Sequence, residues 1–234
     1  MTREHRPRGR RAVARVVDER GRAHPRGRSA VDTGARFPAD TSSAYRGRTV
    51  PTRKRILLHV CCAPCATHAV ERLRDEHDVT LFFSNSNIHP RDEYEKRLAQ
   101  ARKLAERTDC PLVEDTYAHE DWLAFVAGLE AEPEKGQRCL KCFEYNLARA
   151  AEFAHRNGFD GFTTTLTISP HKSSTDLFRI GAALGDFLAV DFKKRDGFRR
   201  SIELSRQYDL YRQGYCGCEF SRRTTEAPGT GKRQ

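Results

Sequence analysis

Seven of the eight cysteines fall into three groups: Cys61, Cys62 and Cys65; Cys139 and Cys142; and Cys216 and Cys218. Cys139-x-x-Cys142 at a helix start can present two thiolates to one metal, or act as a redox dithiol. Set beside a vicinal Cys61-Cys62 pair at a strand end, it suggests a four-thiolate site. Structural zinc usually uses two Cys-x-x-Cys knuckles, which adjacent cysteines fit poorly. An iron–sulfur cluster spreads its ligands over a wider shell and accommodates Cys61 and Cys62 more easily, so the spacing favours a cluster over zinc. Cys216-Gly217-Cys218 has other mechanics. One glycine lets the chain bend so that the two sulfurs close a small strained disulfide, and strained disulfides are labile and redox-active. The alternative is two further ligands or inert thiols. Cys110, beside Pro111, reads as a small buried apolar residue.

Other groups sit near the same places. His59, His89, Asp92, His119 and His171 flank strand ends and could supply protons; each is equally a satisfied structural histidine or a solvated acid. Lys172 and the basic loop of Lys193, Lys194, Arg195, Arg199 and Arg200 could hold phosphates, or simply be solvated.

The elements that must position these groups read as an α/β alternation. Ile56 to Val60 is a short apolar run that predicts a buried strand, the first of a parallel sheet. Its cysteines then fall on the turn at the strand's C-terminal end, where open α/β folds bind ligands. A helix starting near Cys65 would aim N–H groups at that turn and favour thiolates. Further strands are expected over 79–83, 111–113, 161–168 and 189–192. Helices are expected over 67–76, 91–107, 121–129, 136–157, 176–188 and 201–208. The whole predicts an α/β fold: a single open, mostly parallel sheet flanked by helices, Rossmann-like and similar to PP-loop and HUP folds. No Gly-x-Gly-x-x-Gly and no Gly-Lys-Ser/Thr loop occurs, which disfavours a nicotinamide or P-loop site.

Charge is unevenly spread. Residues 1–52 hold 13 Arg, no Lys and 5 Asp+Glu, a net of +8 out of a total of +10. Residues 53–234 therefore carry only +2, so nucleic-acid contact by the folded body must come from a local patch. Residues 1–52 are Arg-, Gly-, Pro- and Ser-rich and read as a disordered extension. It is either a tail that attracts RNA phosphates or a start-site artefact, with Val50 at the alternative start. Residues 53–221 form the expected folded domain, and 222–234 a frayed tail. No secretory signal and no run of about 20 apolar residues is visible. A reducing, cytoplasmic location without membrane contact is expected, where clustered cysteines bind metal or do redox chemistry.

Several stretches together resemble the cobalamin-independent epoxyqueuosine reductases: Leu57-Leu58-His59-Val60-Cys61-Cys62-Ala63-Pro64-Cys65; Asn87-Ile88-His89-Pro90 with Glu93-Tyr94; Gly136-Gln137-Arg138-Cys139-x-x-Cys142-Phe143; Thr163 through Lys172; and Ser201 through Cys218. The resemblance covers residues 55–221. It implies reduction of epoxyqueuosine to queuosine at the wobble position of tRNA, the last step of queuosine biosynthesis. It also implies a [4Fe-4S] cluster on Cys61, Cys62, Cys139 and Cys142, and a redox-active pair at Cys216 and Cys218. An additional iron ion is expected near the cluster, with Cys65 as its candidate ligand. His89, His171 and Lys172 are candidate substrate-binding residues. The partners implied are tRNA carrying epoxyqueuosine and an unidentified electron donor. The chain departs from the family pattern at Ser86, where proline is expected, and at Ala118, where aspartate is expected; Glu120 or Asp121 could substitute for that acid. Two alternatives stand beside this reading. One is a PP-loop-type tRNA sulfur-transfer enzyme, whose ATP loop is replaced here by Cys61-Cys62-Ala63-Pro64-Cys65. The other is a non-enzymatic, zinc-stabilised RNA-binding module.

Overall fold

A computed structural model describes residues 53–222. The expected Arg-rich extension and, apart from Arg222, the expected C-terminal tail lie outside the described residues.

Four parallel strands form one open sheet in the order β3-β2-β1-β4: β1 Lys54–His59, β2 His77–Phe83, β3 Leu112–Glu114 and β4 Gly161–Thr164. Side chains alternate across β1, so Leu58 and Leu57, both fully buried, enter different cores. Leu58 packs with Leu81 and Phe83 under α1 (Ala63–Leu73) and α2 (Arg91–Thr108). Leu57 packs with Phe82 and Phe162 under α4 (Gln137–Arg156) and α5 (Ser174–Ala183). A sheet covered on both faces explains why these strands read as unbroken apolar runs. Two further helices complete the described residues, α3 (His119–Val126) and α6 (Gly197–Gln207). None of the helices is long and apolar enough to cross a membrane.

The chain runs outward from β1 through β2 to β3, then returns to pair β4 against the other side of β1. At the C-terminal ends His59 lies opposite both Phe82 and Thr164. The crevice between β1 and β4 is therefore the point where strand order reverses, the place where open α/β sheets bind ligands.

Several element ends shift by a few residues, α5 stopping at Ala183 rather than Leu188 and α6 starting at Gly197 rather than Ser201; three differences have a visible cause. Helix α1 begins at Ala63, not Thr67, because Pro64 sits in the first turn, where no N–H is needed, and Cys62 takes the extended N-cap position. Cys65 thus stands inside the first turn. β4 ends at Thr164 rather than running to Ile168. The Thr164 hydroxyl accepts the Leu166 N–H at 3.1 Å and turns Thr165–Ile168 into a 3-10 turn. The fifth strand expected over 189–192 does not form; beside β4 there is one parallel bridge, Phe162 to Phe187. The Thr167 hydroxyl takes the pairing positions instead, donating to the Val190 carbonyl at 2.8 Å and accepting the Phe192 N–H at 3.4 Å.

Candidate active site

Cys61 stands at the crevice between β1 and β4. Its N–H donates to the Thr165 hydroxyl at 3.0 Å, and that hydroxyl donates to the Cys61 sulfur at 3.2 Å. Cys62 follows at the N-cap of α1, with its sulfur 4.0 Å from that of Cys61. The thiols of Cys61, Cys62 and Cys65 all lie within 4.8 Å of one another. Hydrogen bonds from its two neighbours lower the Cys62 thiol well below the usual range. Hydrogen bonding to Cys62 pushes Cys61 up to about 12, and Cys65 is raised by Cys61, Cys62 and burial. Of the three sulfurs, that of Cys62 is the one its neighbours favour as a thiolate.

The second group rides on α4, which Gly136 opens in extended conformation. Cys139 and Cys142 are three positions apart and share a helix face. The Lys135 N–H points at the Cys139 sulfur at 3.2 Å, and the Asn146 amide reaches the Cys142 sulfur at 3.6 Å. The same Asn146 nitrogen is 3.1 Å from Asn87 Oδ1, which ties α4 to the turn after β2. Buried Arg138 holds the preceding loop by donating to the carbonyls of Leu129, Glu130 and Glu132. Burial raises both thiols, and Cys142 is raised further by Cys216 and Cys218.

The third group lies on an irregular loop held by α2. Arg97, 2% exposed, donates to the carbonyl of Cys216 at 2.9 Å and that of Tyr215 at 3.3 Å, and pairs with Glu93 at 2.7 Å. The Tyr215 hydroxyl donates to the His89 carbonyl at 2.6 Å, and the His89 N–H to the Gly217 carbonyl at 2.9 Å. Gly217 has φ +147°, and a Cβ there would stand 3.2 to 3.3 Å from Asn87, Ile88 and Arg97. All eight cysteines are free thiols in this structure.

These groups meet around a cavity of about 830 Å³ lined by Cys61, Cys65, Cys142 and Cys216, with His171, Lys172, Arg212 and Gln213. A smaller cleft adjoins it, lined by Cys139, Cys142, Cys216 and Cys218. Burial lowers the Lys172 ammonium, but the sulfurs around it, Cys216 first and then Cys61, Cys65 and Cys62, outweigh this and raise it. His89 does not line the cavity; it lies with His119 and Glu219.

The donor set suits a thiolate-bound cluster. Cys61, Cys139 and Cys142 each accept a hydrogen bond from a donor fixed by the fold, as cluster sulfurs do. In this structure Cys61 and Cys62 sit with Cys65, and Cys139 and Cys142 sit beside Cys216 and Cys218; Cys61 and Cys142 share the wall of the larger cavity.

Residues 56–224 match the family model described as "Epoxyqueuosine reductase QueH". The chain belongs to this family. A protein of that name from Streptococcus pyogenes serotype M1 is 42% identical over 180 residues, covering 72% of this chain and 71% of its own. The Histophilus somni protein is 37% identical, with 73% of each chain covered. The Thermotoga maritima protein is 33% identical, covering 71% of this chain and 89% of its own. As a member of this family the chain is an oxidoreductase.

Both departures from the family pattern meet in space: the Ala118 N–H donates to the Ser86 hydroxyl at 3.1 Å. His59 is fully buried between Thr164 Oγ1 at 2.9 Å and the Ser84 carbonyl at 3.1 Å, and burial lowers it to about 4, so it is a neutral structural histidine. Of the expected basic loop, Arg199 and Arg200 stand on α6 instead; the Lys193 ammonium donates to the carbonyls of Thr167 and Lys172, and Arg200 pairs with Glu71. Cys110 packs, partly buried, against the α1–α2 core.

Thr165, Asn146 and Arg97 escaped the sequence reading. Arg97 had a signal: it lies between Tyr94, Leu98 and Ala101 on the buried side of α2, with Glu93 one turn before it. Thr165 and Asn146 carry no signal that separates them from their neighbours.

Proposed function

We propose that this chain reduces epoxyqueuosine to queuosine in tRNA. The observation that carries the reading is the cavity at the strand-order reversal, where Cys61, Cys65, Cys142, Cys216 and Lys172 face one space. Cys61, Cys62, Cys139 and Cys142 would hold a [4Fe-4S] cluster, leaving Cys65 for an additional iron ion. Such a group, when bound, supplies electrons one at a time and Lewis acidity toward oxygen.

The rest of the chemistry belongs to the chain's own residues. Converting the epoxide to an alkene breaks two C–O bonds and releases one water, which takes two electrons and two protons. Cys216 and Cys218 supply both when two thiols close to one disulfide. Burial raises the Cys218 thiol, so Cys218 holds its proton until reaction. Lys172 stands in the cavity wall as a fixed cation that relays a thiol proton to the departing oxygen. His171, on the same wall, contacts the substrate. Arg212 and Arg222 at this wall face the tRNA backbone. An external electron donor must reopen the disulfide after each turnover. The reaction places the protein in the cytoplasm, with residues 53–221 as its catalytic domain.

The test is an anaerobic assay on tRNA bearing epoxyqueuosine, with nucleosides read by mass spectrometry. The expected product has lost one oxygen. Unchanged nucleoside with cluster-loaded protein and a low-potential reductant would overturn the reading.

A further inference from the structure

His89, His119 and Glu219 come from three separate segments, the turn before α2, the start of α3 and the loop after Cys218. They bring one ligand atom each to within 4.8 Å of the others. The two imidazoles stack with centroids 5.0 Å apart, and Tyr117 and Trp122 pack parallel to His119 at 5.9 and 5.6 Å. These residues are outside the cysteine sites and do not line either cavity.

The hydrogen bonds around His119 fix its tautomer. Nδ1 is 2.7 Å from the Ser86 carbonyl, which can only accept, so Nδ1 carries a proton. Nε2 then faces Glu219 Oε1 at 3.2 Å. A ring lone pair against a carboxylate oxygen is repulsive. Two arrangements remove the repulsion: a second ring proton, or a cation between ring and carboxylate. Glu219 Oε2 bears on the choice. It is buried without a hydrogen-bond partner, and a proton shared with Oε1 leaves it so. A metal ion satisfies the whole carboxylate. The spacing agrees as well, since two ligands about 2.0–2.1 Å from a tetrahedral ion stand about 3.3 Å apart. A backbone carbonyl holding Nδ1 is also the usual outer support of a metal-bound histidine.

The geometry points to a divalent transition-metal site, with zinc-type chemistry, on Nε2 of His119, His89 and the Glu219 carboxylate. Two histidines and one carboxylate leave a fourth position for water. The ion ties the residue after Cys218 to the turn before α2 and to α3, so it clamps the Cys-Gly-Cys loop at a second point besides Arg97. This inference does not rest on the proposed reaction.

Co2+ added to the anaerobically purified protein, whose sulfurs carry their own cofactor, tests it. One equivalent is expected to bind with weak visible bands and without intense thiolate-to-cobalt absorption. Binding should weaken at least tenfold in both Glu219→Gln and His119→Ala. Crystals soaked in CoCl2 should show anomalous density between the three side chains. Because Glu219 is partly exposed and Gln keeps its shape, Glu219→Gln keeps the test alive if His119→Ala does not fold. Cobalt bound only with thiolate absorption, no uptake, or uptake indifferent to Glu219→Gln would overturn the site in favour of a protonated His119–Glu219 pair.

Discussion

The Cys61–Cys65 turn and the Cys216–Cys218 loop both present thiols to one cavity, but they are held by different means. The first is part of the fold. It joins the central strand to a helix cap, and the Cys61 N–H is held by Thr165 in the turn directly after β4. The second has no regular structure between α6 and the short 3-10 turn at Glu219–Ser221. It is pinned by Arg97, by Tyr215 on His89, and by close backbone packing at Gly217. A cofactor cradle needs fixed ligands, which strand and helix ends provide. A pair of thiols that opens and closes needs a segment whose local stability is separable from the core.

The two regions should respond differently to substitution. The largest effect is expected from replacing Cys216 and Cys218 together by Ser. Turnover should vanish while the absorbance near roughly 400 nm, typical of thiolate-bound clusters, stays. Retained turnover would remove the pair from the mechanism. Next comes Arg97→Met, which leaves Glu93 and two carbonyls without their buried partner. A loss of about 3 kcal/mol in urea unfolding is expected, since breaking a buried pair costs about 3–5 kcal/mol. The cluster spectrum of the folded fraction should not change; its loss would mean that the loop and the cradle are one unit. Gly217→Ala combines an unfavourable φ with three tight contacts and should cost about 1–3 kcal/mol. Its signature is a fall in kcat larger than the fall in Tm suggests, because the strained residue links the two thiols. The smallest effect is expected from Thr165→Val, about 1 kcal/mol for the lost bond to the Cys61 N–H. Here the spectrum and midpoint potential should move, since the hydroxyl also donates to the Cys61 sulfur; an unmoved potential would place the sulfur outside the cofactor's reach.

The layered α/β plan was legible because each buried strand is a short apolar run bounded by polar turns, as Val79 to Phe83 shows. The thiol groups were legible from spacing alone. What escaped depends on side chains that compete with the backbone. Thr164 and Thr167 are β-branched and read as strand, yet their hydroxyls take backbone partners and end the pairing. The ladder expected at 189–192 fails for that reason, while Phe192 still buries fully. The grouping of His89, His119 and Glu219 spans 130 residues of sequence, and no local pattern announces it.

Arg97 grips the Cys216 loop by main-chain oxygens, which every residue type possesses. The anchor is therefore indifferent to the side chain it carries. Position 216 is an interchangeable socket: a selenol, a hydroxyl or a spectroscopic label placed there is presented at the same point of the cavity wall. That makes the loop a place where reactivity can be tuned, by selection or by design, without rebuilding the support beneath it.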